Sequence, residues 1–138
     1  MNPEFRANYR AYYEDTDAGG VVYYANYLRF LERARSDWLR ELGVNQETLR
    51  LSQGWVFVVA HVDARYLKPA RLDDWLSVSA RIAEQDRASL VFAQQIHRGA
   101  DLLLDARIRV ACVDAASFKP RRLPQEVLTR LTESHSLP

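Results

Sequence analysis

Residues 26–43, Asn26-Tyr27-Leu28-Arg29-Phe30-Leu31-Glu32-Arg33-Ala34-Arg35-Ser36-Asp37-Trp38-Leu39-Arg40-Glu41-Leu42-Gly43, decide the fold. Tyr27, Phe30, Leu31, Ala34, Trp38 and Leu42 recur at three- and four-residue spacing, while Arg29, Arg33, Ser36 and Arg40 fall on the opposite side. The spacing predicts a long amphipathic helix that buries one stripe. Gly43 stands where a left-handed C-terminal cap is usual, and Asn45 can cap a shorter helix over residues 46–53.

A helix with one apolar stripe needs a surface to cover, and the flanking sequence supplies strands. Phe5, Tyr9, Ala11 and Tyr13 alternate over residues 4–13 and read as a first strand. Over residues 55–67, Val56, Val58, Ala60, Val62, Ala64 and Tyr66 share one face, which is expected to meet the helix. Trp55, Phe57, Val59, His61, Asp63 and Arg65 share the other, a mixture suited to a partner subunit or a cleft. Pro69 ends the pairing. Leu76 to Ile82, Leu90 to Ile96 and Leu102 to Cys112 alternate as three further strands, joined by polar turns at 84–89 and 99–101. A last short helix is expected over Gln125 to Leu131. Short connections between successive strands favour antiparallel pairing. The predicted class is therefore α+β, a curved antiparallel sheet wrapped around one long central helix.

The 138 residues fit a single domain over 1–138, with 48% hydrophobic and 27% charged residues. A net charge of +1 gives no general reason to expect nucleic acid as a partner. No apolar run is long enough to insert in a membrane, and residues 1–6 lack the apolar core of a signal peptide, so a cytoplasmic location is expected. The single cysteine, Cys112, has no partner in its own chain, which agrees with a reducing compartment.

Chemistry concentrates just ahead of the long helix, in Tyr13-Glu14-Asp15-Thr16-Asp17-Ala18-Gly19-Gly20-Val21-Val22-Tyr23-Tyr24-Ala25-Asn26. The first N–H groups of a helix lack partners inside it and carry partial positive charge, so they can hold a developing oxyanion. Gly19 and Gly20 permit positive φ or a close approach to a ligand. A carboxylate beside such a helix start has the parts of an acyl-transfer site.

The same stretch carries a resemblance, together with Phe30-Leu31-Glu32-Arg33-Ala34-Arg35, Tyr66-Leu67-Lys68-Pro69-Ala70-Arg71-Leu72-Asp73-Asp74, Ser89-Leu90-Val91-Phe92 and Lys119-Pro120-Arg121. The chain resembles the hot-dog-fold thioesterases of the 4-hydroxybenzoyl-CoA thioesterase family, in particular the Tol-Pal-associated YbgC type. The resemblance implies acyl-CoA thioester hydrolysis, subunits paired through their sheets as a homotetramer (a dimer of dimers), and sites at the subunit boundary. It places the catalytic carboxylate on Asp17 and the oxyanion donor on the backbone N–H at or near Tyr24, leaving Asp15 structural. Many members of that type carry a histidine where this chain has Tyr24. A phenol titrates near about pH 10 and is a poor base, so the role carried to Tyr24 is that of its N–H. Substrate contacts are expected from Gly19, Gly20, Tyr27, Val59, Arg87 and Ser89. Arg87 stands where the family places basic residues for the coenzyme A phosphates.

Other readings stay in view. Asp15, Asp17 and Gly20 imitate the opening of a calcium loop, but the twelfth position is Asn26 where a bidentate glutamate is needed. His61, His97 and His135 have no ligand spacing, and nothing in the sequence calls for a metal or a cofactor. Glu32, a second carboxylate on the helix, is expected to pair with Arg35 or another neighbour. Dehydratase chemistry needs a histidine near the helix start, where Tyr24 stands. The alternative of another kind is a non-catalytic acyl-binding or scaffold protein, associated with lipid synthesis or an acyl carrier protein. Thioester binding without release of thiol would mark it.

Overall fold

A computed structural model describes residues 3–133; His135, weighed above as a metal ligand, lies outside the described residues. The long helix, α1, runs Tyr27–Glu41, and Tyr27, Phe30, Leu31, Ala34, Arg35, Trp38 and Leu39 are its buried stripe. Gly43 takes φ 82° after it. The Asn45 side chain accepts from the Thr48 N–H and starts α2, Gln46–Gln53, which Gly54 closes in the left-handed conformation. These are the cap roles that each residue's chemistry suggests.

Five strands complete the main layer: β1 Glu4–Arg10, β2 Trp55–Tyr66, β3 Trp75–Gln85, β4 Ser89–Arg98 and β5 Asp101–Asp114, followed by α3, Gln125–Glu133. All neighbours are antiparallel, in the order β1-β3-β4-β5-β2. This order corrects the expectation that short connections pair successive strands throughout. β2 and β3 follow one another yet lie on opposite sides of the sheet. The segment between them is long enough to cross the sheet end, and it is tied there by Leu67 and Lys68 N–H groups to Leu103 O and by Ala70 O to the Val22 N–H. It thereby passes over the start of α1, where Tyr27 Oη accepts from the Ala70 N–H at 2.8 Å.

β1 stops three residues short of the expected strand. Asp15 Oδ2 accepts from the Tyr12 N–H at 2.8 Å and rolls Tyr13–Asp15 into a 3-10 turn, which turns Tyr13 outward.

A second correction concerns β2. Its register against β5 shifts between Val59 and His61. Phe57 and Val59 lie opposite Cys112 and Val110, whereas beyond the shift Val62, Ala64 and Tyr66 lie opposite Ile108, Ala106 and Leu104. Directly paired residues share a face, and these β5 residues are buried beneath α1. The helix side of β2 is therefore Phe57, Val59, Val62, Ala64 and Tyr66. A bulge at Ala60 swaps the faces, and strict alternation cannot anticipate an extra residue.

α1 packs mainly over β1 and β3. The β2 border stays partly uncovered: Val59 is 52% exposed, Val62 39% and Tyr66 46%. No helix among the described residues is long and apolar enough to cross a membrane.

Cys112 is fully buried on the helix side of β5, and burial pushes its thiol pKa up. In the native protein it is expected to resist a thiol-reactive disulfide reagent at mildly alkaline pH. Titration in denaturant should reveal the one thiol of the chain. Rapid reaction of the native protein would contradict this burial.

Candidate active site

The sheet has two ends, and the Asp17 loop lies at the end where α1 begins. Thr16 bridges to Val22 and Val21 to Arg71, so residues 16–22 form a small hairpin against the β2–β3 crossing. Its turn closes through Asp17: its N–H donates to Val21 O at 2.9 Å, its carbonyl accepts from the Gly20 N–H at 3.1 Å, and its Oδ1 accepts from the Gly19 N–H at 2.8 Å. The carboxylate is thus aimed by one oxygen, and among the described residues Oδ2 accepts no hydrogen bond. Gly20 takes φ 81°, and a Cβ on Gly19 would meet Asp17 Oδ1 at 3.2 Å. Both glycines therefore have steric reasons to be there.

Asp15 serves the scaffold. It is buried, its carboxylate holds the Tyr12 N–H, and its carbonyl accepts from both the Tyr23 N–H and Asn26 Nδ2. These bonds set the approach to a second 3-10 turn, Tyr24–Asn26, which leads straight into α1.

In that turn the Asn26 N–H donates to Tyr23 O at 2.8 Å. A trans peptide sets its C=O and N–H on opposite sides, so this bond points the Tyr24 N–H away from the turn. That N–H takes part in none of the loop's backbone bonds. The following peptide is fixed by Tyr66, whose hydroxyl donates to Tyr24 O at 3.0 Å. Tyr24 is 64% exposed, and its ring packs against that of Tyr23 at 4.7 Å between centroids. Val22, Tyr24, Tyr27, Tyr66, Leu67 and Pro69 line an open depression of 300 Å³ beside it. Burial pushes the Tyr27 phenol pKa up, with smaller upward contributions from the nearby Asp74 and Asp17 carboxylates.

The candidate residues therefore fall into two sets within one chain. Asp17, Gly19, Gly20, Tyr24 and Tyr27 lie together. Arg87 and Ser89 flank the β3–β4 turn at the opposite end of the sheet, where Asp86 organises the turn by accepting from the Ala88 N–H, the Ser89 N–H and the Ser89 hydroxyl. β3 has 11 residues, which at about 3.3 Å each separates the two ends by roughly 30 Å. Val59, opposite Val110 and level with Leu90, lies on the uncovered border toward the Arg87 end. Tyr66 is the site residue that sequence reasoning assigned only to a strand face. Its role depends on the β2–β3 crossing, and no local pattern announces it. Among the described residues no group of three or more His, Cys, Asp or Glu side chains could hold a metal.

With this geometry in place, comparison with known proteins is informative. The sequence model of the Thioesterase-like superfamily matches residues 13–131. The chain is 47% identical to an acyl-CoA thioesterase YbgC of Haemophilus influenzae over 118 residues, covering 86% of this chain and 87% of that protein. It is 43% identical to an acyl-CoA thioester hydrolase YbgC of Escherichia coli O6:H1 over 130 residues, covering 94% and 96%. Among solved structures it is similar to a probable thioesterase from Bartonella henselae, with a TM-score of 0.79 and 36% identity over 89% of this chain and all of that one. A 1,4-dihydroxy-2-naphthoyl-CoA thioesterase from Synechocystis, at 23% identity and a TM-score of 0.90 over 99% of this chain and 100% of that one, shares the fold.

Proposed function

The chain belongs to the Thioesterase-like superfamily, and from that premise we propose that it hydrolyses acyl-CoA thioesters to coenzyme A and a free carboxylic acid. One observation carries the site assignment: a carboxylate held by one oxygen, on a loop tied to the start of α1, beside a turn whose leading N–H is pointed outward. The thioester carbonyl oxygen rests on the Tyr24 N–H, and the helix start stabilises the negative charge that grows on that oxygen. Asp17 Oδ2 either draws a proton from water as it attacks or attacks the carbonyl itself. In the first route water adds to the carbonyl carbon and the C–S bond breaks. In the second the C–S bond breaks as an acyl anhydride forms on Asp17, which water then hydrolyses to the free acid and the carboxylate. In both the departing sulfur takes a proton. Tyr27 and the depression beside Tyr66 receive the first atoms of the acyl group.

The working unit in this reading is an oligomer, a dimer that doubles to a homotetramer. β2 is a sheet edge whose helix side is apolar and partly uncovered, the kind of surface that a second copy protects. Arg87 and Ser89 are too far from Asp17 to serve the same substrate within one chain, so their coenzyme A contacts come from a neighbouring copy. Val59, on the border between copies, then lines the acyl path. The reaction is placed in the cytoplasm, where Cys112 stays a thiol.

The test is thiol release from a panel of short-chain, long-chain and aromatic acyl-CoA esters and from an acyl carrier protein ester, with the acid product identified. Release of thiol and acid in equal amounts supports hydrolysis, and the preferred ester reports the pocket. A folded sample that binds the esters without releasing thiol would replace this reading with the acyl-binding scaffold.

A further inference from the structure

Arg35 sits on the buried stripe of α1, 8% exposed, where an aliphatic side chain would be ordinary. Of the two partners expected for Glu32, it is another neighbour and not Arg35 that it contacts. Glu32 accepts from the Ser36 hydroxyl at 2.9 Å at the helix surface, while Arg35 turns inward and donates from Nη1 to Gln94 Oε1 at 2.9 Å. Gln94 is fully buried on β4, and its Nε2 donates to Leu31 O at 3.0 Å and Ser79 O at 3.2 Å. With both amide hydrogens committed, Gln94 presents its oxygen to Arg35 and brings no negative charge. Among the described residues no carboxylate lies within ion-pair distance of Arg35.

Burial pulls the pKa of Arg35 down to about 10, with Glu32 acting in the opposite sense, so the guanidinium stays charged at neutral pH. A buried charge without a counter-charge is costly, and such a group is poised to accept one. Arg35 also has somewhere to receive it. It borders a 230 Å³ cavity between α1, the sheet and α3, whose walls include Leu39, Phe57, Leu90, Phe92 and Leu131. At about 30 Å³ for a water-sized group, that space holds roughly eight non-hydrogen atoms, and the end of a longer chain lies at its mouth. Arg35 lies eight residues past the first residue of α1, roughly 12 Å along the helix from the Asp17 end, and Val59 on the β2 border also lines this cavity.

We propose that this cavity binds a free monocarboxylate with a compact apolar body, the carboxylate on the Arg35 guanidinium and the hydrocarbon against Phe57, Phe92 and Leu131. A guanidinium matches a carboxylate with paired hydrogen bonds. A dianion is disfavoured, because one cation serves the site and Glu32 stands at its rim. This ligand class includes the acids that thioester hydrolysis releases, a link that rests on the proposed function; the binding itself does not.

Calorimetric titration of the whole chain with octanoate, and with octan-1-ol as the uncharged analogue, tests the inference. Octanoate is expected to bind at least about tenfold more tightly than octan-1-ol. Arg35→Met should erase that preference, and Asp17→Asn should keep it. Equal affinity for acid and alcohol in the wild-type protein overturns the proposal, as does an undiminished preference in folded Arg35→Met. Loss of the preference in Asp17→Asn would place the acid at the Asp17 loop, overturning this site while leaving the hydrolase reading intact. If Arg35→Met does not fold, Ser36→Trp covers the cavity mouth from a half-buried position and must weaken octanoate binding about tenfold; unchanged binding overturns the site.

Discussion

Asp17→Asn is expected to lower the turnover of acyl-CoA esters by about a hundredfold or more, the scale on which a positioned acid or base contributes. The substitution is nearly isosteric, and the amide oxygen of asparagine can still accept from the Gly19 N–H, so the turn that aims the side chain survives. What is lost is the charge and basicity of the free oxygen. KM should change little, because in this reading Oδ2 acts on the attacking water or the carbonyl carbon and does not anchor the substrate. Tyr24→Phe makes the complementary case. The role given to Tyr24 belongs to its N–H, which every residue except proline retains, so turnover should stay within about threefold of wild type. Steady-state kinetics on both variants measures these effects. A Tyr24→Phe loss as large as that of Asp17→Asn would move the chemistry onto the phenol.

Phe30→Ala carries the largest expected effect on stability. Phe30 is fully buried one turn into α1, with the Tyr9 ring at 6.3 Å and the Arg33 guanidinium at 5.2 Å from its ring. It joins the helix to β1 on the side of the sheet where α1 packs most closely. Truncating such a side chain removes both its transfer free energy and the contacts of its neighbours, about 3–5 kcal/mol. Against a typical total of about 5–15 kcal/mol, that is a large share. Chemical denaturation of wild type and variant should show the midpoint fall with little change in slope. A loss below about 1 kcal/mol would mean that the helix–sheet contact is not the centre of the core.

The features legible in the sequence are those written in short-range pattern. The three-four spacing of α1, the caps at Gly43 and Asn45, and the alternating faces of β3 and β4 each depend on residues within one or two turns of each other. The bulge at Ala60 escaped because one inserted residue inverts a strand's faces while leaving its composition the same. The crossing from β2 to β3 escaped because strand order is set by which edge remains open, and β5 fills the place beside β4. Helix spacing offers Arg35 as one of the neighbours that Glu32 can pair with. The actual partner of Arg35, Gln94, is 59 positions away and was visible only as a polar residue in an apolar alternation. In the site, the Asp17 turn could be read locally, since a small acid followed by two glycines has few conformations to choose from. The contribution of Tyr66 could not, since it depends on where β2 ends relative to the start of α1.

Thioester hydrolysis is assigned in this reading to the Asp17 loop. The most direct test of that assignment is the time course of thiol release from the best ester of the panel, with wild-type and Asp17→Asn proteins side by side at matched concentration and oligomeric state. Catalytic release is expected from the wild type, and about one-hundredth of that rate or less from the variant. Equal rates from the two proteins would contradict the assignment.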